Sequence, residues 1–289
     1  MTQQIKLSAA LVAELVDRRQ HGRVGPLLTQ RPESLPAAFA TQQAVASLLS
    51  SPIIGWKCAM PSSERWVLAP LFAAELQTTR YCQLWPSQND LARVEPELCF
   101  VLKQPLPARV LPYTPQEIDL AIGSTHIALE LIQSRYATDS GAAFLDQLAD
   151  GLFNQGLWLG PQINSDEASE FELRYQIGNV PAGTCESQAD ATQNPEHNLG
   201  DNAQSANSSK VCLAGKHPNQ APRLPMYWLV NFLSAHQIDL AAGQMIITGS
   251  YAGVLEFPLE TPVQLQFGSL GHIELVFSGR SAPTTTMPL

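Results

Sequence analysis

The chain has 289 residues, 45% of them hydrophobic, which suits one large domain or two modest ones and is too apolar for a chain disordered throughout. Its formal net charge is −9 and its lysines and arginines are scattered, so the basic patch of a nucleic-acid binder is missing and nothing favours an anionic lipid surface. Only 15% of residues are charged, and burying surface between subunits is one way to reach so low a value; self-association into a homo-oligomer is expected.

Residues 7–22 read as an amphipathic helix, capped by Ser8, striped by Leu11, Leu15 and Val16 and stopped by Gly22. Glu14 and Asp17 interrupt its apolar run, so a signal peptide is not expected here, and no stretch is long and apolar enough to span a bilayer. A second helix is expected over residues 35–49, opened by Ser34 and Pro36. A short buried strand follows at 53–57. Residues 94–102 alternate as a strand, 114–123 read as a helix opened by Thr114-Pro115, and 127–134 as an apolar strand. A turn-rich stretch closing at 156–160 and a strand at 171–177 come next. Residues 180–219 are dominated by Gln, Asn, Ser, Ala and Asp; they are expected to form an insertion loop, because so little apolar surface cannot offset the entropy of ordering. A helix at 224–236 and strands at 244–249, 263–267 and 273–277 complete the pattern, before a disordered tail at 281–289.

Helices first, then many strands with few helices between them, argue against a doubly wound sheet. The expected class is α+β with a β-rich core. The organisation reads as an N-terminal helical region over residues 1–80 and a β-rich domain over 81–280. The five cysteines, Cys58, Cys82, Cys99, Cys185 and Cys212, are odd in number and form no CxxC pair; free thiols in a reducing, cytoplasmic compartment are expected.

Three features bear on chemistry. In Val94-Glu95-Pro96-Glu97-Leu98, two carboxylates lie two apart on a strand and therefore share a face. They either edge a solvated surface or share a cation, and hard oxygen ligands favour magnesium, manganese or calcium over zinc. Glu130 is a lone acid in an apolar strand, and such an acid needs a partner. That partner is either Arg135, in a structural ion pair, or a metal shared with Glu95 and Glu97. Lys57 ends the strand at 53–57 after Gly55-Trp56, and is either a snorkelling lysine or one that works beside such a metal. There is no GxGxxG, no Walker A sequence and no GxSxG elbow.

In this order the pieces resemble the 2-keto-4-pentenoate hydratase and 4-oxalocrotonate decarboxylase group of the fumarylacetoacetate hydrolase superfamily. Gly55-Trp56-Lys57 is similar to that group's Gly-Tyr-Lys, and Glu95-Pro96-Glu97-Leu98-Cys99-Phe100-Val101-Leu102 to its Glu-Pro-Glu-Ile-Ala-Phe-Val-Leu. Ala128 to Tyr136, Ala149-Asp150, Trp228-Leu229-Val230-Asn231, Thr248-Gly249-Ser250 and Phe267-Gly268-Ser269-Leu270-Gly271 extend the likeness over most of the chain. The resemblance implies a β-rich mixed roll, a homo-oligomer, and a magnesium-type ion on Glu95, Glu97 and Glu130, with manganese or calcium as alternatives. It implies a small 2-oxo acid substrate chelated by that ion, which stabilises an enolate, with Lys57 as acid/base or carboxylate-binding group and Asp150 and Ser250 toward the substrate.

The chain departs from the group in four places. Cys58-Ala59-Met60-Pro61 stands for Gly-Leu-Thr-Ser, and Pro70-Leu71-Phe72-Ala73 for a Pro-Asp-Phe/Tyr-Gly turn whose aspartate serves in proton transfer. Gly151-Leu152-Phe153 stands for Asn-Ala-Ser, and Gly215-Lys216-His217-Pro218 for Gly-His-Pro. The implied activity is a hydratase-type or decarboxylase-type lyase; the alternatives are an acylpyruvate carbon–carbon hydrolase and a paralogue that only binds 2-oxo acids.

Overall fold

The computed structural model describes residues 7–164, 168–178, 186–187 and 210–280. Two helices lead, α1 (Ala9–His21) and α2 (Leu35–Leu48). The Ser8 hydroxyl accepts the Leu11 N–H at 3.1 Å, which satisfies a donor the helix leaves unpaired. Gly22 ends α1 at φ 63°, a left-handed position that suits glycine. Leu11 and Leu15 are buried as the stripe requires, but one turn on the stripe continues into Arg19, which is buried too, as is Arg18.

Strands follow as β1 (Ile53–Cys58), β2 (Leu68–Phe72), a 3-10 turn at Ala73–Glu75, β3 (Leu76–Gln77), β4 (Tyr81–Leu84) and the long β5 (Leu91–Leu102). The helix α3 (Pro115–Ala121) starts at a capping box of Thr114 and Glu117 and runs directly into β6 (Ile122–Ile132). Then come α4 (Phe144–Ala149), β7 (Asn154–Ile163), β8 (Glu170–Ile177), β9 (Glu186–Ser187), β10 (Lys210–Lys216) and α5 (Leu224–Ala235). The last strands are β11 (Met245–Ile247), β12 (Leu255–Pro258), β13 (Pro262–Phe267) and β14 (Gly271–Gly279). The class is α+β and β-rich, as the sequence predicts.

Two sheets form. The first runs β2-β1-β11-β5-β6-β7-β3, with β12 also on β5; the second runs β4-β14-β13-β8-β10-β9. The end strands of the first, β2 and β3, are joined by three residues, and β2 lies against β7, so this sheet is rolled nearly shut. Alternation along β5 then divides its side chains. Val94, Leu98, Phe100 and Leu102 point outward, the first two toward the second sheet and the last two toward the helices. Cys99 points inward among Leu71, Ala128, Leu157, Met245 and Ile247. Each fully buried Leu, Ile or Phe of these clusters contributes roughly 1.5–3 kcal/mol against exposure.

Three expectations are corrected. Residues expected to be turn-rich form β7, a buried strand paired on both sides. Its glycines are there for space: a Cβ on Gly156 would lie 2.6 Å from the Glu75 carbonyl oxygen, and one on Gly160 2.6 Å from the Trp158 ring. Within the expected insertion at 180–219, residues 210–216 form β10, fully paired with β8, and His217 is buried; residues 179–185 and 188–209, like the tail at 281–289, lie outside the described residues. Cys58, Cys82 and Cys99 are buried free thiols, whereas Cys212 is disulfide-bonded. Among the described residues no helix is long and apolar enough to cross a membrane.

The tightest approach in the roll is β1 on β11. A Cβ on Gly55 would sit 2.0 Å from the Met245 carbonyl oxygen, so β1 would have to move away. Gly55→Ala should cost about 2–3 kcal/mol, the upper part of the overpacking range, in a urea melt; a cost below about 0.5 kcal/mol would contradict this packing.

Candidate metal centre

Register brings the three acids together. In the antiparallel pair of β5 and β6, Glu95 stands opposite Glu130 and Glu97 opposite Ala128, so all three carboxylates occupy the inner face of the roll. One oxygen from each lies within 4.8 Å of the others. Pro96 between the two glutamates is tolerated because the edge of β5 away from β6 lacks a strand partner there: β11 pairs with residues 99–101 and β12 with 91–94. The loop between β11 and β12 fills the gap. Its Tyr251 N–H donates to the Pro96 carbonyl at 2.9 Å, and its Gly249 N–H donates to Glu97 Oε2 at 2.8 Å.

Lys57 joins the cluster from β1. Only the short β11 separates β1 from β5, and Lys57 pairs with Ile247, where β11 ends. Its ammonium lies 2.7 Å from Glu130 Oε1 and donates to the Leu152 carbonyl at 3.1 Å. Glu130 therefore takes Lys57 as its ion partner rather than Arg135. Arg135 is itself buried and holds Asp150, with Nε 2.7 Å from Oδ1.

The charges do not balance. Three carboxylates face one ammonium, and Glu130 is fully buried with Oε2 lacking any hydrogen-bond partner. At an effective dielectric of about 20, like charges at this separation repel by roughly 3–4 kcal/mol per pair. Burial, then the charge of Glu130, raises the pKa of Glu95 to about 7, against the pull of Lys57 and Arg93. Burial and the charges of Glu130 and Glu95 likewise raise Glu97, although the Gly249 N–H and Lys57 oppose the shift. Burial works against the Lys57 ammonium, but Glu130, Glu95 and Glu97 outweigh it and hold its pKa above the ordinary value. The donor set is all oxygen, anionic and closely spaced, with one orphaned buried atom. It fits a hard divalent cation such as magnesium, manganese or calcium.

A strained turn supports the cluster. Gly151, Leu152 and Phe153 are consecutive residues with positive φ, at 88°, 51° and 66°. The two non-glycines cost about 1–2 kcal/mol each there. The turn presents the Leu152 carbonyl to Lys57 and the Asn154 amide to Glu130 Oε1, at 2.9 Å. On the other side, His217 accepts the Asn219 N–H at Nδ1, so its Nε2 carries the proton and donates to the Thr248 carbonyl at 3.2 Å. That bond steadies Thr248-Gly249 and with it the donor to Glu97.

Of the residues singled out from sequence, Glu95, Glu97, Glu130 and Lys57 come together. Ser250 lies beside them, its hydroxyl donating to the Gly253 carbonyl at 2.9 Å. Asp150 does not reach for a ligand: both its side chain and its carbonyl are bound by the buried Arg135. Asn154 and Arg19 support the site without a sequence signal that marks them, and Gly249 and His217 do so from motifs whose sequence assigns them no role. Arg19 came nearest to one, as a charge standing on the apolar stripe of α1.

An acid whose pKa is raised by folding binds its proton more tightly when folded. Its penalty is absent at low pH and grows as pH rises through the ordinary carboxylate range toward about 7. In chelator, the melting temperature of the wild type should fall between pH 5 and 8, and Glu95→Gln should flatten that fall. Parallel curves for the two proteins would contradict the assigned repulsion.

No protein-family model and no curated protein matches the sequence. Solved structures do match in fold. The 4-oxalocrotonate decarboxylase of Pseudomonas putida G7, complexed with magnesium and adipate, is similar at a TM-score of 0.67 and 15% identity, covering 95% of this chain and all of its own. The same enzyme complexed with calcium and acetate gives a TM-score of 0.64 at 14% identity, with the same coverage. The chain has the fold of 4-oxalocrotonate decarboxylase.

Proposed function

We propose that Glu95, Glu97 and Glu130 hold one divalent cation, magnesium first, and that the site is that of a lyase acting on a small 2-oxo acid. The observation that carries the reading is the convergence of three carboxylates on a buried face where one oxygen, Glu130 Oε2, has no partner. Two negative charges remain after Lys57 is counted, which is what a divalent ion cancels. The decarboxylase of the same fold was complexed with magnesium and with calcium, which supports the choice of ion.

A bound ion supplies Lewis acidity toward the oxygens of a 2-oxo acid. The chain's own residues do the rest. Glu95, Glu97 and Glu130 fix where a chelating ligand sits. Lys57, held between Glu130 and the Leu152 carbonyl, is the ammonium placed to hold a ligand carboxylate or to give a proton to the carbon skeleton. Tethering by both partners keeps its charge in place while negative charge develops on the ligand. Hydrolysis of a carbon–carbon bond would need a base for water. His217 is a poor candidate, since both its ring nitrogens are bonded to the chain and burial lowers its pKa. This favours a lyase over a hydrolase.

A second reading has its own observation. Leu71, standing where the resemblance leads one to expect an aspartate, is buried in the inner apolar cluster of the roll. Losing one positioned acid/base group costs roughly 10²–10⁴-fold in rate. Turnover of 2-hydroxypenta-2,4-dienoate should therefore be poor, while binding survives.

Two measurements test these readings. In calorimetry, oxalate should bind only when Mg2+ or Mn2+ is present, and Glu97→Ala should abolish that binding; oxalate binding in chelator, or none with metal, would overturn the metal reading. In a hydratase assay on the same sample, brisk turnover would show that another group replaces the missing acid. Because the ligands must be deprotonated, metal affinity should also rise with pH up to and beyond about 7, with proton release on binding; a pH-independent affinity would contradict the raised carboxyl values.

A further inference from the structure

The chain from Glu75 through Arg19 and Asn154 to Glu130 runs from the protein surface to the most deeply buried acid of the cluster. Arg19 is gripped by Glu75 through two bonds, Nε to Oε1 at 3.0 Å and Nη2 to Oε2 at 2.6 Å. The same guanidinium donates to Asn154 twice, to its carbonyl oxygen at 3.0 Å and to its side-chain Oδ1 at 3.3 Å. Arg135 donates to that carbonyl as well, at 2.9 Å. A guanidinium can only donate, so the oxygen of the Asn154 amide must face Arg19 and its NH2 must face Glu130. That NH2 meets Glu130 Oε1 at 2.9 Å, on the oxygen already tied to Lys57. Asn154 and Glu130 are both fully buried, and Asn154 leaves directly from the strained turn.

We propose that Asn154 is the positioning residue of the acid cluster. Its amide, oriented by Arg19, ties down one oxygen of Glu130 so that the other is kept for the cation. Two donors converge on Oε1 and none on Oε2, an asymmetry that a carboxylate with freedom to rotate would not keep. A turn with two left-handed non-glycine residues is tolerated for the same reason: it delivers the Asn154 amide and the Leu152 carbonyl to Glu130 and Lys57 together. Partners behind a metal ligand set its orientation, and their loss commonly weakens metal binding tenfold to a hundredfold.

The inference rests on the reading of the cluster as a cation site, and the test separates the two. The probe is Mn2+ alone, with free ion counted by electron paramagnetic resonance, at a temperature well below the melting point of every variant in chelator. Asn154→Leu, close in size and without a donor, should raise the Mn2+ dissociation constant at least tenfold. A merely structural role would lower the melting temperature and leave the dissociation constant of the folded protein unchanged. Should Asn154→Leu not fold, Glu75→Gln tests the same chain from its outer end and should weaken Mn2+ binding about three- to tenfold. A dissociation constant within twofold of wild type, in Asn154→Leu if it folds and otherwise in Glu75→Gln, overturns the positioning role alone. Absence of Mn2+ binding by the wild type overturns the metal reading and the positioning role with it.

Discussion

Three carboxylates crowd the inner face of β5 and β6, and a single ammonium stands against them. Repulsion of a few kcal/mol per pair is large beside the 5–15 kcal/mol that separates a folded domain from its unfolded chain. The surrounding structure is arranged around that imbalance. Lys57 is drawn in from β1, the Gly249 N–H is aimed at Glu97, and the Asn154 amide is aimed at Glu130. Each offsets part of the charge and none removes it, so burial and the charge of Glu130 still raise the pKa of Glu95 to about 7. A cluster left so unbalanced is poor as a structural device and well suited to holding a divalent cation.

The roll makes the crowding possible. A flat sheet would leave its second face to solvent, where two glutamates and an opposing third would be screened and unremarkable. Here the joining of β2 to β3 across one turn closes that face. The apolar residues Cys99, Ala128, Leu157 and Ile247 then fill the interior beside the acids. Gly55 lets β1 approach β11 closely enough for Lys57 to reach over its end. The interruption of pairing between β11 and β12 admits both Pro96 and the loop that carries the Gly249 donor.

How much of this was legible in the sequence depended on whether the signal was local. Glu95 and Glu97 announced a shared face through their i, i+2 spacing, and Glu130 announced itself as a lone acid among apolar neighbours. Ser8, Ser34 and Thr114 marked helix starts because capping is a short-range bond. The strand β7 is hidden in the sequence because Gly156 and Gly160 read as turns; their cause is the nearness of the Glu75 carbonyl and of the Trp158 ring and Ile127 carbonyl, which only the folded sheet brings about. Lys210–Lys216 reads as part of a polar loop because on β10 only Val211 and Gly215 are buried, too few to show as an alternating strand. For Glu130 the sequence offers Arg135 or a shared metal and does not offer Lys57; the fold gives Arg135 to Asp150 and brings the Lys57 ammonium to Glu130. Asn154 and Arg19 carried no mark because their roles exist only once α1, the turn and β6 meet.

Anomalous diffraction from crystals soaked in Mn2+ would reveal a divalent cation that completes this cluster. The expected result is a single strong peak with an oxygen of Glu95, Glu97 and Glu130 each within roughly 2.0–2.6 Å, the span of magnesium and calcium ligand distances. Crystals that show no peak there at saturating Mn2+, with Lys57 as the only cation facing the three acids, would contradict it.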